Sequence, residues 1–395
     1  MDMFNNKMKI LITGSAGFIG KNLAAELRNR GFSCLFEYDR DSTLDELDGY
    51  TRECEFVFHL AGVNRPDKQE DYMIVNCGFT SLLLAALRRH NSKAPVLMTS
   101  STQAMLDNPY GRSKKSGEKQ MFQYSFETGV PVYVYRLPNV FGKWCRPDYN
   151  SAVTTFCHHI ANELPIQVND QRTVINLVYI DDVIRSFTEK LPITGQSHVL
   201  TNSVCCTVVD NNRLQNNNYY ETVEPVYRKS LGEIIELLYR FRESRHNLQI
   251  PDVGDDFTKK LYATYLSYLP KDKFGYALRM NKDERGSFTE LFKTSDCGQV
   301  SVNLFKPHVV KGNHWHQTKH EKFLVVSGAG VIRLRKIDTN ETLTYYVSGD
   351  SLEVIDIPVG YTHNIENTGD TDMVTVMWAN EVFDKEQPDT FALEV

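Results

Sequence analysis

Hydrophobic and polar positions follow two different patterns along this chain. From residue 9 to about 190, short apolar runs alternate with stretches of helical spacing, which is typical of βαβ units and a parallel sheet. From Phe274 onward, short strands alternate with Gly and Pro turns, which is typical of an antiparallel sandwich or barrel. The length of 395 residues exceeds the size at which one hydrophobic core keeps growing, so two domains are expected.

The apolar runs predict the strands of the N-terminal part, which are Lys9–Thr13, Phe32–Tyr38, Phe56–Leu60, Pro95–Thr99 and Val132–Arg136. Helical spacing predicts helices over Lys21–Arg30, Leu231–Tyr239 and Asp256–Tyr268. The Asn-rich segment 201–225, with Cys205 and Cys206, interrupts the pattern and is interpreted as a surface excursion. We expect an N-terminal domain over residues 1–245, a helical linker over 246–272 and a C-terminal domain over 273–395.

Composition and charge narrow the class of protein. A net charge of -6 argues against nucleic acid and anionic membranes as partners. No apolar run approaches the roughly 20 residues needed to span a bilayer, and the first residues do not resemble a signal peptide. The eight cysteines lack CxxC spacing, so reduced thiols and a cytoplasmic location are expected. An anionic substrate would need a local cluster of cationic side chains.

The glycine-rich segment Thr13–Gly20 follows a predicted strand and opens a predicted helix. Gly14 permits a tight turn, Gly17 lets the backbone approach a pyrophosphate, and Gly20 allows close packing of helix on sheet. The helix N-terminus then faces the phosphate charge. This arrangement predicts that Gly14, Gly17 and Gly20 bind a dinucleotide.

The second predicted strand ends in Glu37-Tyr38-Asp39-Arg40. A carboxylate at this position favours the ribose hydroxyl of NAD, whereas an arginine accepts the additional phosphate of NADP. Both side chains are present, and a solvated charge cluster is a third interpretation. We favour NADPH, bound through Arg40.

The motif Tyr-x-x-x-Lys at Tyr110 and Lys114 carries the candidate reductase chemistry. On a helix, these two side chains lie on one face. A nearby ammonium would lower the pKa of the phenol, so that Tyr110 could pass a proton to a carbonyl as hydride arrives. The hydroxyls of Ser100, Ser101 and Thr102 end the preceding strand and could hydrogen-bond the same carbonyl.

Together with three further segments, these motifs resemble the extended short-chain dehydrogenase/reductase family, which acts largely on nucleotide sugars. The further segments are His59-Leu60-Ala61-Gly62, Arg136-x-x-Asn139-Val140-Phe141-Gly142 and Tyr179-Ile180-Asp181-Asp182-Val183. The resemblance implies a Rossmann-like α/β fold, an active triad of Ser101, Tyr110 and Lys114, and NADPH contacts from Tyr110 and Lys114. Ser100 is the alternative serine.

The same resemblance implies that Arg136 and Asn139 lie near the nicotinamide and the sugar. The alternative is that Arg136 only ends a strand and Asn139 only forms a turn. One departure is informative, because the family's sugar 4,6-dehydratases have an acidic pair where this chain reads Thr102-Gln103. Without a carboxylate for elimination of water, a reductase or a 4-epimerase is expected.

The C-terminal part contains His314-Trp315-His316, followed by Glu321 and, after a Pro/Gly turn, His363. Two histidines at i and i+2 on a strand point to the same face. A carboxylate from a neighbouring strand and a third histidine could complete a site with three nitrogens and one oxygen. Such a site suits a borderline divalent cation and leaves room for substrate or water.

With Gly328, Pro358, Gly360 and Asn367, these residues resemble the two motifs of the cupin superfamily, which implies an all-β jelly-roll domain. The resemblance implies that the divalent metal is held by His314, His316, Glu321 and His363. Zinc suits such a site when the reaction involves no change of oxidation state.

Upstream, Asn281-x-Asp283-x-Arg285-Gly286-Ser287-Phe288-Thr289-Glu290 resembles a stretch of deoxysugar 3,5-epimerases, which are also cupins. Arg285 could hold a diphosphate bidentately or pair with Asp283 at the surface. Those epimerases generally work without a metal and use a histidine base. The metal motif and the epimerase motif are compatible if a cation polarises a ketone while a side-chain base removes the proton from the adjacent carbon. The candidates for this base are Lys319, His308, Tyr346 and Tyr361.

The order of the two domains resembles the bifunctional enzymes of capsular polysaccharide biosynthesis over almost the whole chain. The resemblance implies C3 epimerisation of a UDP-2-acetamido-2,6-dideoxy-4-keto-hexose by the cupin. NADPH-dependent reduction at C4 would follow, giving UDP-2-acetamido-2,6-dideoxy-L-talose on the route to UDP-N-acetyl-L-fucosamine. A homodimer is also implied.

Two other interpretations stay open at this point. In one, the protein is a single-activity NADP-dependent sugar-nucleotide reductase or 4-epimerase, and the metal-bound cupin is a structural dimerisation domain. In the other, the cupin is an iron oxygenase, because three histidines and one glutamate also bind redox metals.

Overall fold

The structure is a computed structural model, and it describes residues 6–149, 151–192, 220–384, 386 and 388–395. Most of the predicted surface excursion, residues 201–219, lies outside the described residues. The chain divides into two compact units. The N-terminal unit comprises Met1–Leu238 with Ala263–Leu269, and the C-terminal unit comprises Tyr239–Tyr262 with Pro270–Val395. The boundaries between the units fall after Leu238, Tyr262 and Leu269, whereas a helical linker was expected over residues 246–272.

The N-terminal unit alternates strands and helices. Its strands β1 to β9 are Asn6–Thr13, Phe32–Tyr38, Phe56–His59, Val96–Ser101, Val132–Leu137, Asn139–Phe141, Val174–Tyr179, Tyr220–Glu221 and Tyr227–Ser230. Helices α1 to α8, of which the last two cross the division, are Phe18–Asn29, Leu44–Glu53, Phe79–Arg89, Pro109–Thr128, Ala152–Ala161, Ile180–Thr188, Leu231–Asn247 and Asp256–Leu266. A π-helical turn at Tyr72–Gly78 precedes α3, and a 3₁₀ turn at Thr102–Met105 precedes α4.

A parallel six-stranded sheet forms the centre of this unit, in the order β2-β1-β3-β4-β5-β8. Successive residues of β1 point to opposite faces, so Ile10 and Ile12 belong to one buried cluster and Leu11 to another. Helices α1 and α6 contribute to the first cluster, and α2, α3 and α4 contribute to the second. A sheet covered by helices on both faces is a doubly wound α/β fold, as the alternating pattern predicted.

The C-terminal unit is built from strands. Strands β10 to β20 are Asn281–Asp283, Gly286–Lys293, Gln299–Phe305, Val310–Trp315, Glu321–Ser327, Ala329–Lys336, Thr342–Ser348, Val354–Ile357, Tyr361–Asn367, Met373–Ala379 and Phe391–Ala392. They form a six-stranded sheet, β10-β11-β12-β19-β14-β17, and a five-stranded sheet, β16-β15-β18-β13-β20. Side chains from both sheets, such as Phe323 of β14 and Ile365 of β18, share one buried cluster. The unit is therefore an antiparallel sandwich of the jelly-roll type.

No helix in the described part of the chain is long and apolar enough to cross a membrane. The six cysteines within the described residues are free thiols, and all of these except the exposed Cys297 are half-buried or buried.

Two candidate active sites

The glycine-rich loop has the geometry that a pyrophosphate requires. Gly14 adopts φ +72°, and its amide donates to the carbonyl oxygen of Tyr38 at 2.8 Å. A Cβ at Gly20 would lie 2.2 Å from the Gly14 carbonyl oxygen, so only glycine lets α1 pack this closely. Gly17 precedes α1, and no side chain among the described residues caps this end. The first amides of α1 are thus available to a phosphate.

The end of β2 contacts this loop through Asp39. Its carboxylate accepts hydrogen bonds of 2.8 Å from the backbone amides of Ala16 and Arg40. The Arg40 side chain lines the same cavity as the glycine-rich loop and forms no ion pair within the residues that the structure describes. Asp39 therefore stabilises the loop, while the guanidinium of Arg40 stays available to an anionic group.

Tyr110 and Lys114 lie on one face of α4, as their spacing predicted. Helix α4 begins at Pro109 because the side chain of Asn108 accepts a hydrogen bond of 2.7 Å from the Gly111 amide. The Lys114 side chain is buried, and its Nζ atom donates to the carbonyl oxygen of Thr99 at 3.2 Å.

Burial controls the proton affinities at this site. It raises the pKa of Tyr110 to about 12, and the hydrogen bond with Ser101 offsets only part of that rise. Burial also lowers the pKa of Lys114 to about 8, although Glu118 acts in the opposite direction. The expected lowering of the phenol pKa by the ammonium is therefore not seen in the protein alone, where burial raises that pKa.

The two candidate serines have different partners. The Ser101 hydroxyl lies close enough to Tyr110 to lower the pKa of the phenol, and it accepts from the amide of Gln103 at 3.2 Å. Ser100 instead donates to Oε1 of Glu118 at 2.5 Å. Ser101 is thus the serine that the fold brings to the tyrosine.

Glu118 is a buried carboxylate that the sequence analysis missed. Arg136 donates to its Oε1 and Oε2 atoms at 3.0 and 2.7 Å, and the guanidinium lies 3.4 Å from the centre of the Tyr220 ring. Arg136 was expected near the nicotinamide and the sugar, but its side chain is instead the partner of Glu118. The i, i+4 spacing of Lys114 and Glu118 on α4 is the signal that could have identified this residue.

The described residues of the N-terminal unit enclose a cavity of about 2540 Å³. Single small ligands usually occupy about 300–1,000 Å³, so this cavity has room for a dinucleotide and a second large ligand. It is lined by the glycine-rich loop, Arg40, Ser101, Tyr110, Lys114 and Asn139. Arg65 and Arg146 also line it and provide the local positive charge that an anionic substrate needs.

In the C-terminal unit, three histidines converge because two strands pair and one of them bulges. His314 of β13 lies opposite His363 of β18, and the register shifts between Gly312 and His314. Gly312 and Asn313 both have positive φ, +105° and +56°, which is typical of a bulge. His316 follows directly after β13.

The four predicted ligands lie together. One ligand atom from each of His314, His316, Glu321 and His363 lies within 4.8 Å of the others. The Nε2 atoms of His316 and His363 are each 3.3 Å from Oε2 of Glu321. These three atoms, and Nδ1 of His363, are buried without a hydrogen-bond partner among the described residues. Buried polar atoms are rarely left unpaired, so the donor set fits a divalent cation of the zinc class.

The protonation states also suit a cation. Burial beside His363 and His316 lowers the pKa of His314 to about 4, so its imidazole is neutral near pH 7. Burial opposes ionisation of Glu321, but the adjacent rings of His316 and His363 hold the pKa of this carboxyl well below its usual range. A neutral imidazole at His314 and an ionised carboxylate at Glu321 are the forms that bind metals.

Asp389, near the C-terminus, orients this group and was not found from the sequence. Its backbone oxygen accepts a hydrogen bond of 2.5 Å from Nδ1 of His316, which leaves Nε2 facing the other ligands. Its carboxylate accepts from the amides of Gln317, Thr318 and Lys319 at 3.0, 2.9 and 2.8 Å. The loop that carries His316 is therefore fixed by one aspartate.

A cavity of about 360 Å³ adjoins the cluster. Phe305, Phe323 and Met377 form much of its apolar wall, and Asp283, Arg285 and Lys311 line its polar side. Arg285 donates to Asp283 at 2.7 Å, which is the pairing considered as the alternative to a diphosphate contact. The two C-terminal signatures of the sequence thus lie at one cavity.

The side chains suggested as the epimerase base do not line this cavity. His308 and Tyr346 are exposed, and Tyr361 packs against the core of the unit. Lys319 is buried, but its Nζ atom donates to the carbonyl oxygen of Pro388. The fold therefore brings none of the four side chains to this cavity, because sequence proximity to the motifs does not determine which face a side chain takes.

The sequences of the two units match two different protein families. Residues 10–191 match the sequence profile described as the NAD dependent epimerase/dehydratase family. Residues 281–391 match the profile described as the polysaccharide biosynthesis C-terminal domain. An α/β unit of nicotinamide-dependent chemistry is thus joined to an all-β unit, as the sequence predicted.

Similarity to individual proteins extends over nearly the full length. Over 388 residues the chain is 45% identical to UDP-2-acetamido-2,6-beta-L-arabino-hexul-4-ose reductase of Pseudomonas aeruginosa, covering 98% of this chain and 99% of the relative. The crystal structure of capsular polysaccharide assembling protein CapF from Staphylococcus aureus is 49% identical, with a TM-score of 0.87, over 98% of this chain and 100% of that one. CapF with the inhibitor 3-isopropenyl-tropolone is 46% identical, with a TM-score of 0.82 and the same coverage.

Proposed function

This chain belongs to the family of the UDP-2-acetamido-2,6-beta-L-arabino-hexul-4-ose reductases, and on that premise we propose that it is a bifunctional nucleotide-sugar enzyme. The C-terminal domain inverts C3 of a UDP-2-acetamido-2,6-dideoxy-4-keto-hexose. The N-terminal domain then reduces C4 with NADPH to give UDP-2-acetamido-2,6-dideoxy-L-talose, on the route to UDP-N-acetyl-L-fucosamine for capsular polysaccharide. We assign the reductase to residues 1–245 and the epimerase to 273–395, with 246–272 as linker, in a homodimer.

One observation carries this proposal. Each unit has its own cavity with its own chemistry, a tyrosine–lysine pair in one and a three-histidine, one-glutamate cluster in the other. Inversion next to a ketone is reversible, and reduction of that ketone would make the sequence irreversible. The two reactions therefore complement one another.

In the N-terminal cavity, Gly14, Gly17 and Gly20 would hold the pyrophosphate, and Arg40 the additional phosphate of NADPH. The cofactor supplies the hydride. Tyr110 donates its phenolic proton to the C4 oxygen, Ser101 donates a hydrogen bond to the same oxygen, and the Lys114 ammonium stabilises the resulting phenolate. The high pKa of Tyr110, about 12, keeps the phenol protonated before hydride arrives.

In the C-terminal cavity, the residues that would hold a divalent metal are His314, His316, Glu321 and His363. Zinc suits this set because no redox change is needed, and when bound it supplies a Lewis acid that polarises the ketone. The chain itself provides the rest: Asp389 orients His316, and Phe305 and Phe323 form an apolar wall beside the cluster.

The experiment uses the full-length protein in deuterated water with the UDP-4-keto sugar and no NADPH. We expect deuterium to enter C3, observed by NMR or mass spectrometry, and NADPH consumption to begin only when NADPH is added. NADPH consumption without any exchange would favour the single-activity reductase with a structural cupin. Oxygen uptake after loading with iron would favour the oxygenase.

A further inference from the structure

The bulge in β13 gives the C-terminal cavity a side chain that regular strand geometry would turn away. In a regular strand, residues 311 and 314 point to opposite faces. Here Lys311 lies opposite Ile365 while His314 lies opposite His363, so one extra residue, Asn313, is accommodated between them. Because Ile365 and His363 face the same side of β18, Lys311 and His314 share that side, and all four line the cavity.

The bulge is held in place by specific contacts. The side-chain amide of Asn364 donates to the side-chain oxygen of Asn313 at 2.9 Å, and the amide of Leu393 donates to the Asn313 carbonyl oxygen at 3.0 Å. A Cβ at Gly312 would lie 2.7 Å from the carbonyl oxygen of His363, so the strands approach closely only with glycine at this position. The position of Lys311 is therefore a fixed feature of the fold.

Lys311 is half-buried at the cavity wall. Its Nζ atom donates to the carbonyl oxygen of Leu304 at 3.2 Å and lies 4.6 Å from the centre of the Phe305 ring. It forms no ion pair within the part of the chain that the structure describes. Burial lowers the pKa of Lys311, and the nearby charge of Asp283 offsets this only in part. A lysine with a lowered pKa carries a larger fraction of neutral amine near neutral pH.

The other ionisable side chains that line the cavity are either engaged or exposed. Both carboxylate oxygens of Asp283 accept hydrogen bonds from Arg285, which also hold the pKa of Asp283 below its usual range. His314, Glu321 and His363 belong to the proposed metal ligands. Lys282 lies on an exposed edge strand. Lys311 thus combines access to the cavity with a free lone pair.

We propose that Lys311 is the general base that removes the proton from C3 of the keto sugar, an inference that rests on the proposed epimerase function. The neutral amine takes the proton and becomes an ammonium. The electron pair of the C–H bond forms the carbon–carbon double bond of an enolate, and the carbonyl oxygen takes the negative charge. Water then protonates C3 on the opposite face, and the resulting hydroxide takes the proton from the ammonium, so the enzyme returns to its starting state.

The test measures deuterium entry at C3 of the UDP-4-keto sugar in the full-length protein without NADPH. We expect Lys311→Met and Lys311→Ala to lower the exchange rate at least about 100-fold, since a general base contributes about 10²–10⁴-fold. Metal content, measured by elemental analysis, and the thermal unfolding midpoint should stay close to those of the wild type. Added ethylamine should restore exchange in Lys311→Ala, and more basic amines should restore it more.

Two further variants separate a base from a positive charge. Lys311→Arg keeps the charge but does not give up its proton near neutral pH, so exchange should remain lost. Lys322→Met is the control, because Lys322 lies in the same unit but pairs with Asp356 on β17. This variant should catalyse deuterium exchange at the wild-type rate. An exchange rate in Lys311→Met within about threefold of the wild-type rate would overturn the assignment of Lys311 as the base. So would wild-type exchange in Lys311→Arg. Absence of exchange in the wild type would overturn the epimerase function and the base with it.

Discussion

The two candidate sites differ in how their buried polar groups are satisfied. Around Tyr110, the buried side chains have protein partners: Lys114 donates to Thr99, and Glu118 accepts from Ser100 and Arg136. In the C-terminal cluster, the facing atoms of His316, Glu321 and His363 lack hydrogen bonds among the described residues.

This difference separates two ways of building an active site. The N-terminal site is preorganised by hydrogen bonds within the protein, so its residues hold their geometry before a ligand arrives. The C-terminal cluster leaves donor atoms unpaired at a cost that a bound cation would remove. Perturbing one site should therefore leave the other intact, and loss of metal should affect only the C-terminal site.

The largest expected effect is that of Tyr110→Phe on the reductase. Loss of the proton donor should lower NADPH consumption by about 10²–10⁴-fold. Deuterium exchange at C3 should be unchanged, because that reaction lies in the other unit. Spectrophotometry of NADPH and NMR of the sugar measure the two in parallel, with Tyr50→Phe, away from the cavity, as control. Loss of both activities would show that the sites are not independent.

Glu321→Gln tests the unpaired donors of the C-terminal cluster. Removal of the only carboxylate among the four ligands should lower metal occupancy and reduce C3 exchange at least about 100-fold. A chelator should have the same effect on the wild type. NADPH reduction of the already inverted keto sugar should persist. The control is Glu366→Gln, because Glu366 lies on β18 next to Ile365 and pairs with Arg333. If protein that elemental analysis finds free of metal still catalyses full exchange, the proposed metal site is contradicted.

Asp389→Ala should act on the metal through the loop that carries His316. Three backbone amides lose their acceptor, so the imidazole is less well oriented and metal affinity should fall about 10–100-fold. Competition with a fluorescent chelator measures this affinity. Asp372→Ala removes a carboxylate of the same unit that pairs with Lys306 at the surface, and it should bind metal normally. Equal affinities in the two variants would argue against Asp389 as a positioning residue.

The pH dependence should separate the two sites further. With the pKa of Lys114 lowered to about 8, its ammonium persists below that pH and is lost above it. Reductase kcat/KM for the keto sugar should therefore fall about tenfold per pH unit above pH about 8, since this parameter reports the enzyme before the sugar binds. Stopped-flow measurement with saturating NADPH would record it. A flat profile to pH about 10 would mean that the charge of Lys114 is not needed.

The smallest effect is expected for Arg40→Ser. Loss of one charge-assisted contact to the additional phosphate, about 1.5–3 kcal/mol, should reduce the preference for NADPH over NADH at least about tenfold. Binding titrations with both cofactors measure it. Arg52→Ser, whose side chain pairs with Asp48 on α2, should not change the preference. An unchanged preference in Arg40→Ser would favour NAD bound through Asp39.

The sequence predicted the features that depend on local pattern. The alternation of apolar runs identified the strands of the parallel sheet, and the spacing of glycines identified the dinucleotide loop. The i, i+4 spacing of Tyr110 and Lys114 predicted their shared helical face, and α4 contains both. The spacing of His314, His316, Glu321 and His363 predicted a cluster that the fold brings within 4.8 Å. The first three depend on a pattern within one short segment, which the chain encodes directly, whereas the cluster joins residues of separate strands and was implied by the resemblance to the cupin motifs.

Other features depended on contacts between residues far apart in the chain. Glu118 acquires its role from Arg136 of another element, and Asp389 orients His316 from 73 residues away. The pKa of Tyr110 rises because surrounding residues bury it, which no local motif expresses. Lys311 reaches the cavity only because a bulge reverses the alternation of β13. Periodicity is a property of a short segment, whereas burial, pairing and strand register are set by the assembled tertiary structure.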